Sequence, residues 1–171
     1  MKTHRKRVLQ PGGDHLLTMA VSDDGTFRYA LARVWDDETP AACFIVLHPR
    51  HDDEVLSKEC TRIARELGCG GTLILNLFNV ITSRTDELMT LADPQGIDWL
   101  GFLSRAVHNT QPAFIIAAWG DHPKAVEVSP LVVTLFGEYQ GVGLTCLGRG
   151  PTGAPVTPYA VHGAARLEQY P

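Results

Sequence analysis

Cysteine is scarce in this 171-residue chain, and its spacing excludes several chemistries. The four cysteines, Cys43, Cys60, Cys69 and Cys146, form no C-x-x-C pair, so neither a structural zinc site nor a thioredoxin-like redox site is expected. Cys43 and Cys146 lie in apolar runs and read as small core residues. Long apolar runs are missing too. None approaches the roughly 20 residues a membrane-crossing helix needs. The start, MKTHRKRVLQPGG, is basic but has no apolar stretch after it, so it does not read as a signal peptide. Positive charge is not in excess: 15 Lys and Arg against 19 Asp and Glu leave a net charge of −4. That argues against attachment to nucleic acid by bulk electrostatics. Repeats and low-complexity stretches are also lacking. These absences together lead to an expectation of a reduced, cytoplasmic protein without a membrane anchor, with residues 1–17 as a basic flexible arm and 18–171 as one α/β domain.

Hydrophobic patterning fills in that domain. In TMAVSDDGTFRYALARVW, residues 18–35, Asp24-Gly25 is a hairpin turn signal. Phe27, Tyr29 and Leu31 alternate there with Arg28, Ala30 and Ala32, which reads as an antiparallel hairpin with one wet face. Its edge could also pair with a second copy in a homodimer. ACFIVLHPR, residues 42–50, is a continuous apolar run of the kind that suits a strand covered on both faces. A helix follows over about 53–67, where Leu56, Cys60, Ile63 and Leu67 form one stripe and Gly68 is a natural stop. GTLILN, from Gly71, is a second buried strand, and 98–109 repeats the helical pattern with Trp99, Phe102, Leu103 and Ala106. PAFIIAAWG, residues 112–120, is a third strand. Residues 130–139 read as a helix opened by Pro130, and GLTCLG, residues 143–148, as a short fourth strand. The order hairpin-β-α-β-α-β-α-β predicts a three-layer α/β/α sandwich with a mostly parallel four-stranded central sheet plus an N-terminal β-hairpin.

Ligands in such sheets bind beyond the carboxyl ends of the strands, and those ends carry this chain's chemistry. The first leads into His48-Pro49-Arg50-His51-Asp52-Asp53. The second ends at Asn76 and continues to Phe78, Asn79 and Arg84. The third runs into Trp119-Gly120-Asp121-His122, and the fourth into Gly148-Arg149-Gly150. Each residue has two readings: Asn76 can hold loop backbone or a ligand, Trp119 can wall the core or stack on a flat ring, and Arg84 can reach a pocket or pair with Asp86. His48, His51 and His122 match no metal-ligand spacing, and LGRGPTG lacks the lysine-serine/threonine pair of a phosphate loop. No metal and no cofactor is expected.

Several of these segments together resemble the family called domain of unknown function 1643, over roughly residues 27–160. The resemblance is carried by FRYALARVW, C-x-x-x-A-R-x-x-G-x-G-G over Cys60–Gly71, NLF at 76–78, R-x-x-x-L over Arg84–Leu88, DPxG at 93–96 and AWG at 118–120. Members usually show Asn-Pro-Ser where this chain has His48-Pro49-Arg50, and His-Pro where it has Thr157-Pro158. More distantly, the layout is similar to the uracil-DNA glycosylase superfamily. That likeness implies counterparts at Asn76 and Gly120 and puts His48 where a water-positioning residue stands; only His162 could replace the last-loop histidine.

The functional expectation is a pocket that acts on or binds a nucleobase-containing small molecule, by the resemblance a glycosylase-like hydrolase of an N-glycosidic bond. The alternative is a non-catalytic nucleotide-binding or sequestering module. The candidate catalytic residues are His48, Asp52 and Asp53. The candidate ligand-binding residues are Arg50, Asn76, Phe78, Arg84, Trp119, Gly120, His122 and Arg149. The expected partner is a nucleobase, nucleoside or nucleotide; duplex nucleic acid is not favoured, because the chain lacks a basic surface and a His-Pro-Ser wedge.

Overall fold

The computed structural model of the chain describes residues 1–10 and 13–171. Pro11 and Gly12 of the expected basic arm lie outside the described residues, as do the side chains of 5–10, 13–15 and 140. Eight strands are described: β1 (Lys2–Gln10), β2 (Gly13–Val21), β3 (Arg28–Val34), β4 (Ala41–Val46), β5 (Gly71–Asn76), β6 (Phe114–Ala117), β7 (Leu144–Cys146) and β8 (Glu168–Gln169). Three α-helices accompany them: α1 (Glu54–Glu66), α2 (Trp99–Thr110) and α3 (Ala125–Phe136). Among the described residues, no helix is long and apolar enough to cross a membrane.

Strand pairing corrects the expected mostly parallel four-stranded sheet. All eight strands join one mixed sheet in the order β1-β2-β3-β5-β4-β6-β7-β8. The ladders β1·β2, β2·β3, β3·β5 and β7·β8 are antiparallel. They outnumber the parallel ladders β4·β5, β4·β6 and β6·β7. The hairpin is therefore not a separate appendage. Its strand β3 lies inside the sheet, hydrogen-bonded to β2 on one side and β5 on the other, and β1 occupies the edge beyond it. The expected wet face of the hairpin fails for the same reason: Tyr29, Ala30 and Leu31 are consecutive and all buried. The turn itself follows the sequence signal, with Gly25 at φ 77° and Asp24 Oδ1 accepting from the Thr26 N–H at 3.1 Å.

Period-two alternation divides the core between the two faces of the sheet. Cys43, Ile45 and Leu75 pack with Trp99 and Leu103 of α2 and with Val128 and Val132 of α3. Ala42, Phe44 and Val46 pack with Leu56, Cys60 and Ile63 of α1. Fully buried side chains such as Phe44 and Ile45 each contribute about 1.5–3 kcal/mol. The third helix starts at Ala125, earlier than the expected start at Pro130, which lies inside it. Pro130 has no N–H to offer the carbonyl of Val126. Both residues face outward, with Val126 72% exposed, so water can serve that carbonyl.

Candidate functional site

The chain leaves β4 into a short loop that reaches the start of α1, and this loop forms the floor of a cavity. The cavity measures about 170 Å³ and is lined by Val46, His48, Arg50, Asp53 and Leu56 from this stretch. Thr85 enters from the segment after β5, Ala118 and Trp119 from the end of β6, and Thr157, Pro158 and Tyr159 from the C-terminal segment. The walls are mostly apolar, with a few convergent polar groups, as small-molecule sites commonly are.

Asp53 is the N-cap of α1, but its side chain does not cap the helix. Its Oδ2 instead accepts from the backbone N–H of Arg50 at 3.0 Å and from Nη2 of Arg28. This ion pair is buried, with side-chain exposures of 12% for Arg28 and 5% for Asp53. Burial pulls the Arg28 guanidinium down to about 10. The other carboxylate oxygen, Asp53 Oδ1, is buried without a hydrogen-bond partner in the protein.

His48 is 6% exposed and held at both nitrogens, with Nδ1 3.0 Å from the Pro49 carbonyl and Nε2 3.1 Å from Thr85 Oγ1. Burial lowers its basicity most. The Pro49 carbonyl opposes that shift, while the positive charges of Arg50 and Arg28 and the nearby His122 add to it. The imidazole is therefore neutral at pH 7. A carbonyl cannot donate, so Nδ1 carries the proton, and Nε2 accepts from the Thr85 hydroxyl.

The roof is tied down by α1 and by the end of β6. Arg62 donates to the carbonyls of Val161 (3.0 Å) and Gly163 (3.3 Å), and Glu66 accepts from the N–H of Ala165 (3.0 Å). Gly120 donates its N–H to Pro155 O at 3.0 Å. Its φ of 75° is left-handed, and a Cβ there would stand 3.1 Å from Thr157 Cγ2. Glycine is needed at this position on both counts.

The other sequence candidates do different work. Asn76 is 1% exposed and donates Nδ2 to the Arg28 carbonyl at 2.9 Å, while its backbone carbonyl accepts from Trp99 Nε1 at 2.9 Å. It anchors β3, and with it the Arg28 side chain that meets Asp53. Phe78 is fully buried in the core. Asp52 is exposed and accepts from the N–H of Glu54 at 3.4 Å. Arg84 lies on the surface with Asp86 at 2.6 Å, both side chains 69% exposed. His122 and Gly120 line a neighbouring depression on the far side of Trp119, of about 340 Å³. Trp119 is 2% exposed and meets Tyr170 edge-on at 5.5 Å. Arg149 lies near the C-terminal strand, donating to Gln169 O at 2.9 Å, with Tyr170 under its guanidinium. Among the described residues, no group of three or more His, Cys, Asp or Glu side chains is arranged to hold a metal ion.

Of the residues singled out from the sequence, His48, Arg50, Asp53 and Trp119 line the cavity; Thr85, Thr157 and Tyr159 in its wall, and Arg28 paired with Asp53, were missed. Only Thr157 carried a signal, as one of the two places where the chain departs from the pattern it resembles. His48 and Arg50, from the other departure, line the same cavity.

A family model described as protein of unknown function (DUF1643) matches residues 28–159. The chain belongs to that family. The matched span starts at Arg28 and ends at Tyr159, so the family region contains every residue named in the cavity and the buried pair behind it. No curated protein and no solved structure matches the chain. The likeness to uracil-DNA glycosylases thus gains no support from these comparisons.

Proposed function

We propose that this protein binds a nucleobase-containing small molecule, with the flat ring in the cavity beside His48 and Asp53 and the remainder outside near Arg50. Size supports this reading. About 170 Å³ is well below the roughly 300–1,000 Å³ of clefts that enclose drug-sized ligands. A nucleobase fits, and a whole nucleotide does not. The observation that carries the proposal is the composition of the cavity wall, mostly apolar with Trp119 in it and with His48, Arg50 and Asp53 brought to it by the segment after β4. The exposed Arg50 at the rim suits a phosphate or sugar.

Hydrolysis of an N-glycosidic bond is a second reading, favoured by the neutral His48. Its Nε2 lone pair, now directed at Thr85, could instead accept a proton from water. The hydroxide would add to the sugar's anomeric carbon as the base departs with the bonding electrons, and the base would recover the proton from His48. Against this, the Arg28 guanidinium offsets the charge of Asp53, which would otherwise stabilise the cationic transition state. Binding without cleavage is the better-supported reading.

Thermal-shift measurements against bases, nucleosides and nucleotides test the proposal, since a ligand of the folded state raises apparent stability. Stabilisation without base release on chromatography is the expected result. Base release that disappears in His48→Ala would establish the hydrolase. No stabilisation by any of these compounds would contradict both readings.

A further inference from the structure

The two edges of the sheet are built differently. At one end β8 is two residues long, and so short an edge gives another strand little to pair with. At the other end β1 runs for nine residues, Lys2–Gln10, and its ladder with β2 continues from Lys2↔Val21 to Gln10↔Gly13 without a bulge. An edge strand pairs on one side only, so every second residue directs its backbone N–H and C=O away from the sheet. No proline interrupts that row in β1. The charge of β1 is equally one-sided. Lys2, Arg5, Lys6 and Arg7 lie in it, and no Asp or Glu does. Taking these four from the 15 Lys and Arg leaves 11 against 19 Asp and Glu, a net −8 on the rest of the chain.

We propose that β1 is a docking edge for an acidic, extended segment of a partner protein, which joins the sheet as a further strand. A second copy of this chain is a poor occupant. About a two-fold axis two β1 strands run antiparallel and set four cations against four, and like charges opposite one another destabilise a ladder. An acidic strand turns the same cations into favourable cross-strand pairs, and the free backbone row supplies main-chain hydrogen bonds. A nucleic-acid strand would use the cations but not that row. β1 lies before the matched span 28–159 and is separated from β4 by β2, β3 and β5. Docking there is therefore independent of what the cavity holds.

The test is fluorescence anisotropy of the full chain with labelled probes at low salt. The probes are an alternating Glu-Val peptide, its Lys-Val counterpart, a Glu-Val peptide whose central valines are replaced by proline, and a deoxythymidine oligonucleotide. The Glu-Val peptide should bind, the Lys-Val peptide should not, and the proline form, with its charge intact, should bind at least about tenfold more weakly. Amide hydrogen exchange should slow within Lys2–Gln10 when the Glu-Val peptide is added. Replacing Lys2, Arg5, Lys6 and Arg7 together by glutamine should weaken that binding by about 10- to 100-fold. The peptide series on the wild type decides the matter even where the variant misfolds. Equal binding of the proline form would show that charge alone is recognised, and tighter binding of the oligonucleotide would assign the edge to nucleic acid. Either result, exchange protection confined to other segments, or no binding of the Glu-Val peptide overturns the proposal.

Discussion

Cutting the buried ion pair between β3 and the loop before α1 should be the most damaging polar change in this molecule. Asp53→Ala leaves the Arg28 guanidinium, 12% exposed, without its counter-charge, and Arg28→Ala does the converse to a carboxylate that is 5% exposed. Removing one partner of a buried pair costs about 3–5 kcal/mol, because the remaining charge is stranded away from water. That is a large share of the roughly 5–15 kcal/mol by which a domain is typically stable. The double variant Arg28→Met with Asp53→Ala should lose far less than the sum of its parts. Burial already holds the guanidinium down to about 10, so the pair is kept at a desolvation cost that apolar replacements avoid. Urea denaturation at pH 7 of the wild type, both single variants and the double variant, analysed as a cycle, measures the coupling. Single variants costing under about 1 kcal/mol, and adding without coupling, would show that the pair is hydrated, and the account of how the loop is pinned to the sheet would be wrong.

Three further outcomes are expected. The unfolded chain protonates His48 near its ordinary 6.5, but burial lowers that value in the fold; the unfolded state therefore binds more protons as pH falls through this window, and stability declines there and is flat above it. In His48→Gln the acid-side slope of the urea midpoint between pH 7 and 5 should become shallower; an unchanged slope would mean that the imidazole is not buried neutral. Gly120→Ala should cost about 1–2 kcal/mol from the left-handed φ alone, and, by pushing on Thr157, should also weaken ligand binding; a neutral variant would show that the backbone there relaxes freely. Arg84→Ala should change neither the urea midpoint nor ligand affinity, because the ion pairs of Arg84 are solvated; lost affinity would return Arg84 to the site.

Particular residues show which parts of this were legible beforehand. The apolar runs around Phe44, Ile74 and Ile116 announced buried strands, and the stripe Leu56-Cys60-Ile63 announced α1, because burial imposes a period on the sequence. Which strands are neighbours leaves no such trace. The basic run in β1 hides a strand behind charge, and β8 is two residues long, so both antiparallel edges escaped notice and the sheet was expected to be smaller and more parallel. Arg28 was assigned to water by the alternation in FRYALARVW. The partner that justifies its burial, Asp53, lies on another segment, and no local pattern reports it. Thr85 and Tyr159 are ordinary residues locally and enter the cavity only because the 3-10 turn at 85–89 and the α1-clamped C-terminal segment place them there. Asn76 was rightly singled out as unusual, since an amide inside such a strand needs a reason. That reason is the backbone of Arg28.

A crystal structure of the protein grown with adenine tests the central claim most directly. The account predicts the ring in the cavity between Trp119 and the loop 48–53. Adenine bound with measurable affinity in solution but seated elsewhere on the molecule, with that cavity holding only water, would contradict it.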